Sequence, residues 1–594
     1  MTPRHNMVRW YSLPRLTFIG VRVAVSTVFG QFADRRASLA AERPLDPINF
    51  DPELDYSQHA GSDFWFDFVA DTGDGWDSTY AVARLLGDAN LALPNCPVLP
   101  HAVLSRGRVL VMGGDQVYPT PSYRDYHERL IGPFEQVRRN NPPVFQPEPH
   151  LYAIPGNHDW YDGLSAFLNL FCWRQLKGPW SEPRPGRPIG GWRTKQLRSY
   201  FALALPHDWW LWGLDIQLTD YVDQQQINFF DHVAREWMKP GSRLILCAGQ
   251  PDWAYVDPRR PGDRFRPFSY VEALADKAQK NHRLCLVLTG DSHHYARFTE
   301  EQRHYITAGG GGAFTHPTHQ LKDRDFAWNY PPPGSPAPPQ LPPGDDAPPR
   351  FRRTFRLARD PEKNEPRVYP PRKTSRRIAW RNLAFAFYNW DYALTLGLWC
   401  GLFAWMLNTN AEISNSTLSK VLQEPGSYTA ALIAYVKLAL VTPWPTLLVA
   451  AIGGGYYYFA DYKSAYRYVA AIVHTLAQTA AMVLVTVLCA RHAPGRNSIV
   501  ALIAYVVVLG GFSAATVMGV YLLVSLNMFG SHWNHAFSSL RLTRYKCFLR
   551  LCVGQDGSLT VYPIGLAKVP RDRSDPPANP KLDAHLIEPP IRIT

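Results

Sequence analysis

The chain has 594 residues and a formal net charge of +12, from 62 Lys and Arg against 50 Asp and Glu. A mean hydropathy of −0.23 is too polar for a protein made mainly of membrane spans, and a hydrophobic fraction of 46% is too apolar for a disordered chain. The length therefore predicts two or more structural units. The eight cysteines form no Cys-x-x-Cys pair, which favours reduced, buried thiols.

Residues 1–59 are predicted as an N-terminal segment. It contains an apolar stretch from Phe18 to Phe29 that is interrupted by Arg22. The stretch lacks the small-residue cleavage site of a secretory signal. Both an amphipathic helix at a membrane interface and an ordinary core-packed helix are compatible with this pattern.

Residues 60–325 are predicted as one layered α/β domain, because short apolar runs that end in Gly or Asp alternate with longer polar stretches. The runs are FWFDFVA (64–70), RVLVMGG (108–114), HLYAIPG (150–156), WWLWGLD (209–215), RLILCAG (243–249), RLCLVLTG (283–290) and HYITAGG (304–310). Functional loops are expected where these strands end. The glycine run at 309–312 lacks a P-loop pattern and is interpreted as a flexible rim.

Residues 326–382 are predicted as a Pro-rich and basic linker. The stretch 331–349 reads PPPGSPAPPQLPPGDDAPP, a composition that cannot build a packed core. Between Arg350 and Arg381 there are twelve Lys and Arg against three acidic residues. Because this basic run precedes a predicted span, it favours anionic lipid headgroups as the partner, and no nucleic acid is expected. A solvated linker without a specific lipid is the alternative.

Residues 383–530 are predicted as a transmembrane bundle of about four spans, near 385–407, 442–460, 468–490 and 499–529. Lys and Arg concentrate in the flanks at 350–381 and 541–550, which predicts a multi-pass protein with both flanks in the cytoplasm. Residues 531–594 are predicted as a cytoplasmic C-terminal segment. Within it, residues 548–566 read as a short β-hairpin around an Asp-Gly turn; whether it docks on the α/β domain stays open.

Polar residues with metal-ligating chemistry follow several of the predicted strands. They are Asp71, Asp115, Asn157, His158, Asp291 and His293. Hard oxygen donors and imidazole, each presented from a different strand end, are what a metal centre needs. A carboxylate shared by two cations could activate water and polarise a phosphoryl oxygen.

These motifs resemble the calcineurin-like metallophosphoesterase family over residues 60–315. Asp71-x-Gly73 and Gly114-Asp115-x-x-Tyr118 have the form of its purple acid phosphatase branch, and Gly156-Asn157-His158-Asp159 matches a further family motif. The resemblance implies a four-layered α/β/β/α sandwich. It also implies hydrolysis of a phosphomonoester or phosphodiester by attack of a metal-bound hydroxide.

The resemblance assigns roles to named residues. The first metal site would use Asp71, Asp115, Tyr118 and His293, with Asp115 bridging to a second site that includes Asn157. Where the family has two further histidines, this chain has Gln250 and Asp291. The resemblance therefore implies one or two divalent metal ions per chain. The metal could be Fe, Mn, Mg or Zn. His158 would assist the leaving oxygen. Tyr118 either ligates or packs, and His294 either reaches metal or substrate or supports the site.

The sequence therefore predicts a membrane-anchored phosphoesterase that acts on a phosphoester, with a lipid-linked ester and a soluble nucleotide both open as substrates. The alternative is a catalytically weak or inactive membrane sensor or scaffold that keeps the fold. It is motivated by the two missing family histidines.

Overall fold

The structure is a computed structural model. It describes residues 3–13, 17, 20–21, 50–93, 103–140, 148–174, 184–216, 222–258, 262–277, 280–329, 351–461, 466–570 and 582–594. The predicted interfacial helix and the Pro-rich stretch 331–349 lie almost entirely outside this part of the chain, so both stay predictions. The chain divides into two compact units, one of 1–8, 19–372 and 542–594, the other of 9–18 and 373–541.

The first unit is built on β-strands. They are β1 (Phe64–Val69), β2 (Asn90–Ala92), β3 (Val103–Ser105), β4 (Val109–Gly113), β5 (His150–Ile154), β6 (Pro188–Ile189), β7 (Trp192–Thr194), β8 (Phe201–Leu205), β9 (Trp209–Gly213), β10 (Arg243–Ala248), β11 (Arg283–Thr289), β12 (Tyr295–Glu300), β13 (Arg303–Ala308), β14 (Arg324–Trp328), β15 (Phe351–Leu357), β16 (Val368–Tyr369), β17 (Lys546–Val553), β18 (Leu559–Leu566), β19 (Ala584–Leu586) and β20 (Ile591–Ile593). All seven apolar runs predicted as strands are strands.

Within the described residues these strands form two mixed sheets of nine strands each, besides the small β2–β3 pair. The first sheet has the order β19-β18-β17-β1-β4-β5-β7-β6, with β20 beside β18, and the second has the order β14-β15-β12-β13-β11-β10-β9-β8, with β16 beside β12. Neighbours β1, β4 and β5 are parallel, as are β9, β10, β11 and β13. The carboxyl ends of the central strands in each sheet therefore lie at one edge.

Helices cover the outer faces of the two sheets. They are α1 (Trp76–Gly87), α2 (Gly132–Asn140), α3 (Ser165–Phe171), α4 (Gln224–His232), α5 (Asp252–Tyr255) and α6 (Gly262–Lys277). One apolar core lies between the sheets, a second joins the first sheet to α1, α2 and α3, and a third joins the second sheet to α4 and α6. The predicted mixed α/β architecture is confirmed.

The sequence prediction of a linker at 326–382 is wrong for its described part. β14 and β15 pair antiparallel, from Arg324 opposite Phe355 to Trp328 opposite Phe351, and β15 also pairs with β12. Arg353 in the basic run is fully buried, where it contacts Glu272 and Glu300. A charged residue on the core-facing side of β15 obscures the strand pattern, which is why the sequence reads as a linker.

The C-terminal hairpin is confirmed, with β17 and β18 joined through a turn at Asp556 and Gly557. β17 also pairs antiparallel with β1, from Phe64 opposite Val553 to Phe68 opposite Leu549. The question left open by the sequence is thereby answered, since the hairpin is part of the first sheet.

The second unit is helical. Its helices are α7 (Arg372–Ala379), α8 (Phe385–Tyr388), α9 (Trp390–Ile413), α10 (Leu418–Gln423), α11 (Tyr428–Ala439), α12 (Pro443–Phe459), α13 (Tyr466–His492), α14 (Ile499–Tyr505), α15 (Gly511–Val524) and α16 (Trp533–Ser538). Among the described residues, two helices are long and apolar enough to cross a membrane. They are α13 and the helical stretch Ile499–Phe529, which contains α14 and α15. The number rises to three if α11 and α12, bent by 95°, form one span. By length and composition the count is two or three, below the predicted four.

Candidate functional site

Tyr118 is the centre of the group that the sequence predicted as the first metal site. Its hydroxyl lies 2.8 Å from Asp71 Oδ1, 3.0 Å from Asp115 Oδ2 and 2.9 Å from His293 Nε2. Asp71 follows β1, Asp115 follows β4 and His293 follows β11, so strand ends from both sheets meet here. The structure brings these four predicted residues together.

The backbone at this edge has unusual geometry. Asp71, Asp115 and Asp291 all have positive φ angles, of 58°, 52° and 62°. L-residues rarely adopt this left-handed region, and such strain collects at functional sites. The neighbouring glycines are also required, because a Cβ on Gly156 would lie 2.1 Å from Asp115 Oδ1 and one on Gly309 would lie 2.4 Å from Asp71 Oδ2.

The carboxylates repel one another in a buried environment. Burial, and then the charges of Asp115 and Asp291, raise the pKa of Asp71 well above its usual value. Burial and then Asp291 raise the pKa of Asp115 to about 7. Three acids held this close favour the binding of a cation, which would relieve their repulsion.

Unsatisfied buried oxygen atoms also fit a cation. Asp71 Oδ2 and Asn157 Oδ1 are buried and have no hydrogen-bond partner. His293 donates from Nδ1 to the Phe314 carbonyl at 2.8 Å, which directs Nε2 towards the acids, as in histidines that bind metals.

Within the described part of the chain, no three His, Cys, Asp or Glu side chains are arranged to hold a metal ion by themselves. The set that meets at Tyr118 combines a phenol oxygen with two carboxylates and one imidazole. The residues present therefore fit a cation only as a mixed donor set.

His158 borders the same group. Its backbone N–H donates to Asp115 Oδ1 at 2.8 Å, and its Nδ1 donates to the Pro119 carbonyl at 2.8 Å. The His158 ring lies 4.4 Å from the Tyr118 ring, centroid to centroid. Burial lowers the pKa of His158 to about 4, so its ring is neutral at pH 7 without a substrate.

The remaining predicted residues lie at the same edge. Asp291 donates from its backbone N–H to Asp71 Oδ1 at 3.1 Å. His294 is buried, and its Nδ1 has no partner. Gln250 is half-buried just after β10. Their roles as ligands or substrate contacts stay predictions.

The part of the chain that carries this site matches a known protein family. Residues 64–295 match the family model described as calcineurin-like phosphoesterase. These residues form a calcineurin-like phosphoesterase domain. The match spans β1 to the start of β12 and includes every predicted site residue, so the chain carries a domain of phosphoric ester hydrolases.

Two solved structures are similar to part of this chain at low identity. GAP50, titled the anchor in the inner membrane complex of Plasmodium, is 11% identical, with 43% of this chain and 74% of that chain covered and a TM-score of 0.30. The purple acid phosphatase PPD1 from yellow lupin (Lupinus luteus) seeds is 12% identical, with 43% and 45% covered and a TM-score of 0.26. Curated proteins give no match. The assignment rests on the family model.

Sequence reasoning missed Asp159 as a residue that supports the phosphoesterase site. Asp159 accepts hydrogen bonds from the backbone N–H groups of Gln116 and Gly156, which fixes the loops that carry Asp115 and Asn157. Its position in the Gly-Asn-His-Asp motif is the one signal that could have indicated this. The predicted flexible rim at 309–312 is wrong, since these glycines are buried.

Proposed function

We propose that the chain is a membrane-anchored, metal-dependent phosphoesterase that hydrolyses a phosphomonoester or phosphodiester. The observation that carries the proposal is the contact of one Tyr118 hydroxyl with Asp71, Asp115 and His293. A divalent cation held by these residues would polarise a phosphoryl oxygen and lower the pKa of an adjacent water. Asn157 would extend the donor set through its unsatisfied Oδ1.

His158 is proposed to assist the departing oxygen. With the Nδ1 proton donated to the Pro119 carbonyl, Nε2 can deliver a proton only from the doubly protonated ring. A bound phosphoester brings negative charge next to the ring and raises its pKa, which favours that form. His158 would therefore gain its proton when substrate binds.

The test is turnover of bis(p-nitrophenyl) phosphate by the purified full-length protein in detergent, with Mn²⁺ added after EDTA treatment. We expect His158→Ala to lower kcat by about 10²-fold or more while leaving metal content unchanged. His127→Ala, at an exposed position, is the matched control. Wild-type protein that binds less than one metal per chain and shows no turnover would favour the inactive sensor or scaffold.

Four membrane crossings are proposed for the second unit. α9 lies against Ile499–Phe529 with touching backbones, since a Cβ on Gly397 would be 2.1 Å from the Val507 carbonyl oxygen and one on Gly511 would be 2.2 Å from that of Ala393. These pairs run in opposite directions along the two helices, in the small-residue packing common in membranes. With 24 residues, α9 is about 36 Å long, enough to cross beside its partner.

α12 and α13 support a second antiparallel pair. The rings of Tyr456 and His474 stack at 3.9 Å, and Arg467 donates to the Tyr457 carbonyl at 2.7 Å. Exposed aromatic residues mark both ends of α12, with Trp444 64% and Tyr458 80% accessible, as expected at two membrane interfaces.

The first unit supports an even number of crossings. It contains strands from before the helical unit, such as β15, and strands from after it, such as β17. Both flanks of the helical unit must then lie on the same side of the membrane. Four crossings meet this condition, whereas three do not.

Anionic lipid headgroups are proposed as a partner at α7. Its inner face buries Ser375, Ile378 and Ala379, whereas Lys373, Arg376, Arg377 and Arg381 are exposed. Basic residues next to a span contribute about 1 kcal/mol each at an anionic surface. The proximity to a bilayer favours a lipid-linked or membrane-proximal ester as substrate.

The orientation is tested with reporter fusions at about residue 415 and at the C-terminus. We expect the C-terminal reporter in the cytoplasm and the reporter near residue 415 on the opposite side. Both reporters on one side would exclude four crossings. An external C-terminus would also remove the anionic cytoplasmic leaflet from α7 and contradict the lipid assignment.

A further inference from the structure

Residues 309–316, here called the clamp loop, follow β13 and contact two of the proposed metal ligands. Ala313 donates its backbone N–H to the Asp71 carbonyl at 2.8 Å. His293 donates its backbone N–H to His316 Nδ1 at 2.9 Å, and the His293 and His316 rings stack at 3.9 Å with an interplanar angle of 8°. Together with the bond from His293 Nδ1 to the Phe314 carbonyl, these contacts fix the His293 ring in position and tautomer.

The clamp loop is itself held by the chain that returns from the helical unit. Cys547 donates its backbone N–H to the Gly310 carbonyl at 3.0 Å, and Thr315 donates its own to the Leu542 carbonyl at 3.3 Å. Lys546 Nζ donates to the Ala313 carbonyl and lies 3.5 Å from Thr315 Oγ1. These partners all belong to residues 542–547, at the start of β17.

Lys546 is an unusual anchor because its ammonium group is completely buried. Burying a charge costs several kcal/mol unless it is hydrogen-bonded, and a methionine would fill similar space without that cost. Burial lowers the pKa of Lys546 to about 8, with Asp74 and Asp71 acting in the opposite direction. An apolar side chain could not replace the hydrogen bond that Lys546 Nζ donates to the clamp loop.

We propose that His316 is a positioning residue for His293, and that Lys546 fastens the clamp loop which carries His316. The strand that follows the helical unit would thus complete the phosphoesterase site. This inference deepens the proposed function and rests on it, because it assigns His293 as a metal ligand.

The first measurement is Mn²⁺ affinity by titration calorimetry on EDTA-stripped, full-length protein in detergent. We expect His316→Phe, which keeps an aromatic ring but removes the Nδ1 acceptor, to weaken Mn²⁺ binding about 10- to 100-fold. His316→Asn, which retains an acceptor oxygen, should recover part of that loss. His319→Phe, in the same Thr-His-Pro-Thr-His run, is the control and should bind within about threefold of wild type.

Lys546→Met is expected to weaken Mn²⁺ binding about tenfold. Lys568→Met, at an exposed position on the same C-terminal segment, should leave it unchanged. A His316→Phe variant that folds like wild type and binds Mn²⁺ with wild-type affinity would overturn the positioning role.

Hydrogen–deuterium exchange of the metal-free protein separates this inference from the proposed function. His316→Phe should accelerate exchange around His293, and Lys546→Met should accelerate it in the clamp loop, with the rest of the first unit unchanged. If wild type binds no Mn²⁺ but these exchange effects occur, the proposed metal-dependent function is contradicted, and the proposed role of the clamp loop in positioning His293 is supported. If wild type binds Mn²⁺ and neither variant changes local exchange, only the proposed role of the clamp loop is contradicted.

Discussion

Asp115→Asn is expected to lower kcat/KM for bis(p-nitrophenyl) phosphate by about 10³-fold, with no loss of folding. Asp115 Oδ2 contacts Tyr118 and Oδ1 accepts from the His158 backbone, so both of its oxygens are committed to the site. Asparagine keeps the shape but offers only one oxygen and no charge. Steady-state kinetics and metal content measured on the same preparation check this result.

The same substitution should stabilise the metal-free protein. Because burial and Asp291 raise the pKa of Asp115 to about 7, the folded state retains a proton that the unfolded chain releases. The free energy of unfolding of metal-free wild type should therefore fall as the pH rises from about 4 to about 7. Asp115→Asn should remove this part of the fall.

Exposed Asp323, whose carboxylate accepts from the Leu357 backbone, provides the matched control as Asp323→Asn, with wild-type kinetics expected. An Asp115→Asn variant that loses stability while keeping its activity would identify Asp115 as a structural carboxylate instead.

Arg353→Met is expected to lower the free energy of unfolding of the first unit by about 3–5 kcal/mol. The guanidinium of Arg353 lies 3.0 Å from Glu272 and 2.7 Å from Glu300, and all three side chains are buried. Its removal takes away the guanidinium that both buried carboxylates contact, and leaves Arg303 on Glu300 at 3.2 Å. The change is measured by urea unfolding, with limited proteolysis used to monitor the folded fraction of the first unit at each urea concentration.

The neighbouring residue supplies the control. Arg352 is exposed and pairs with exposed Asp325 at 2.6 Å, so Arg352→Met should cost less than about 1 kcal/mol. Equal losses for the two variants would contradict the assignment of Arg353 to the core. The contrast would also establish that adjacent arginines in one basic run serve different purposes.

The sequence predicts the strands well and places the candidate ligands at their ends, because both depend on local signals. An apolar run followed by Gly-Asp or Gly-Asn-His indicates where a strand ends and what it presents. The hairpin at 546–566 is similarly local, since an Asp-Gly pair separates its strands.

Long-range partners account for what the sequence could not predict. Arg353 is buried only because Glu272 and Glu300 face it from another helix and strand. His316 carries no local mark of its contact with His293, which lies 23 residues away in the chain.

The pairing of β1 with β17 joins residues that are nearly the whole chain apart, since Phe64 lies opposite Val553. The ribosome must synthesise the entire helical unit before β17 exists. A nascent chain that has not reached residue 542 lacks an inner strand of the first sheet, together with the contacts of Lys546 and Cys547. The order of biosynthesis therefore places completion of the proposed metal site after synthesis of the helical unit, so an unfinished chain lacks the contacts that hold the clamp loop.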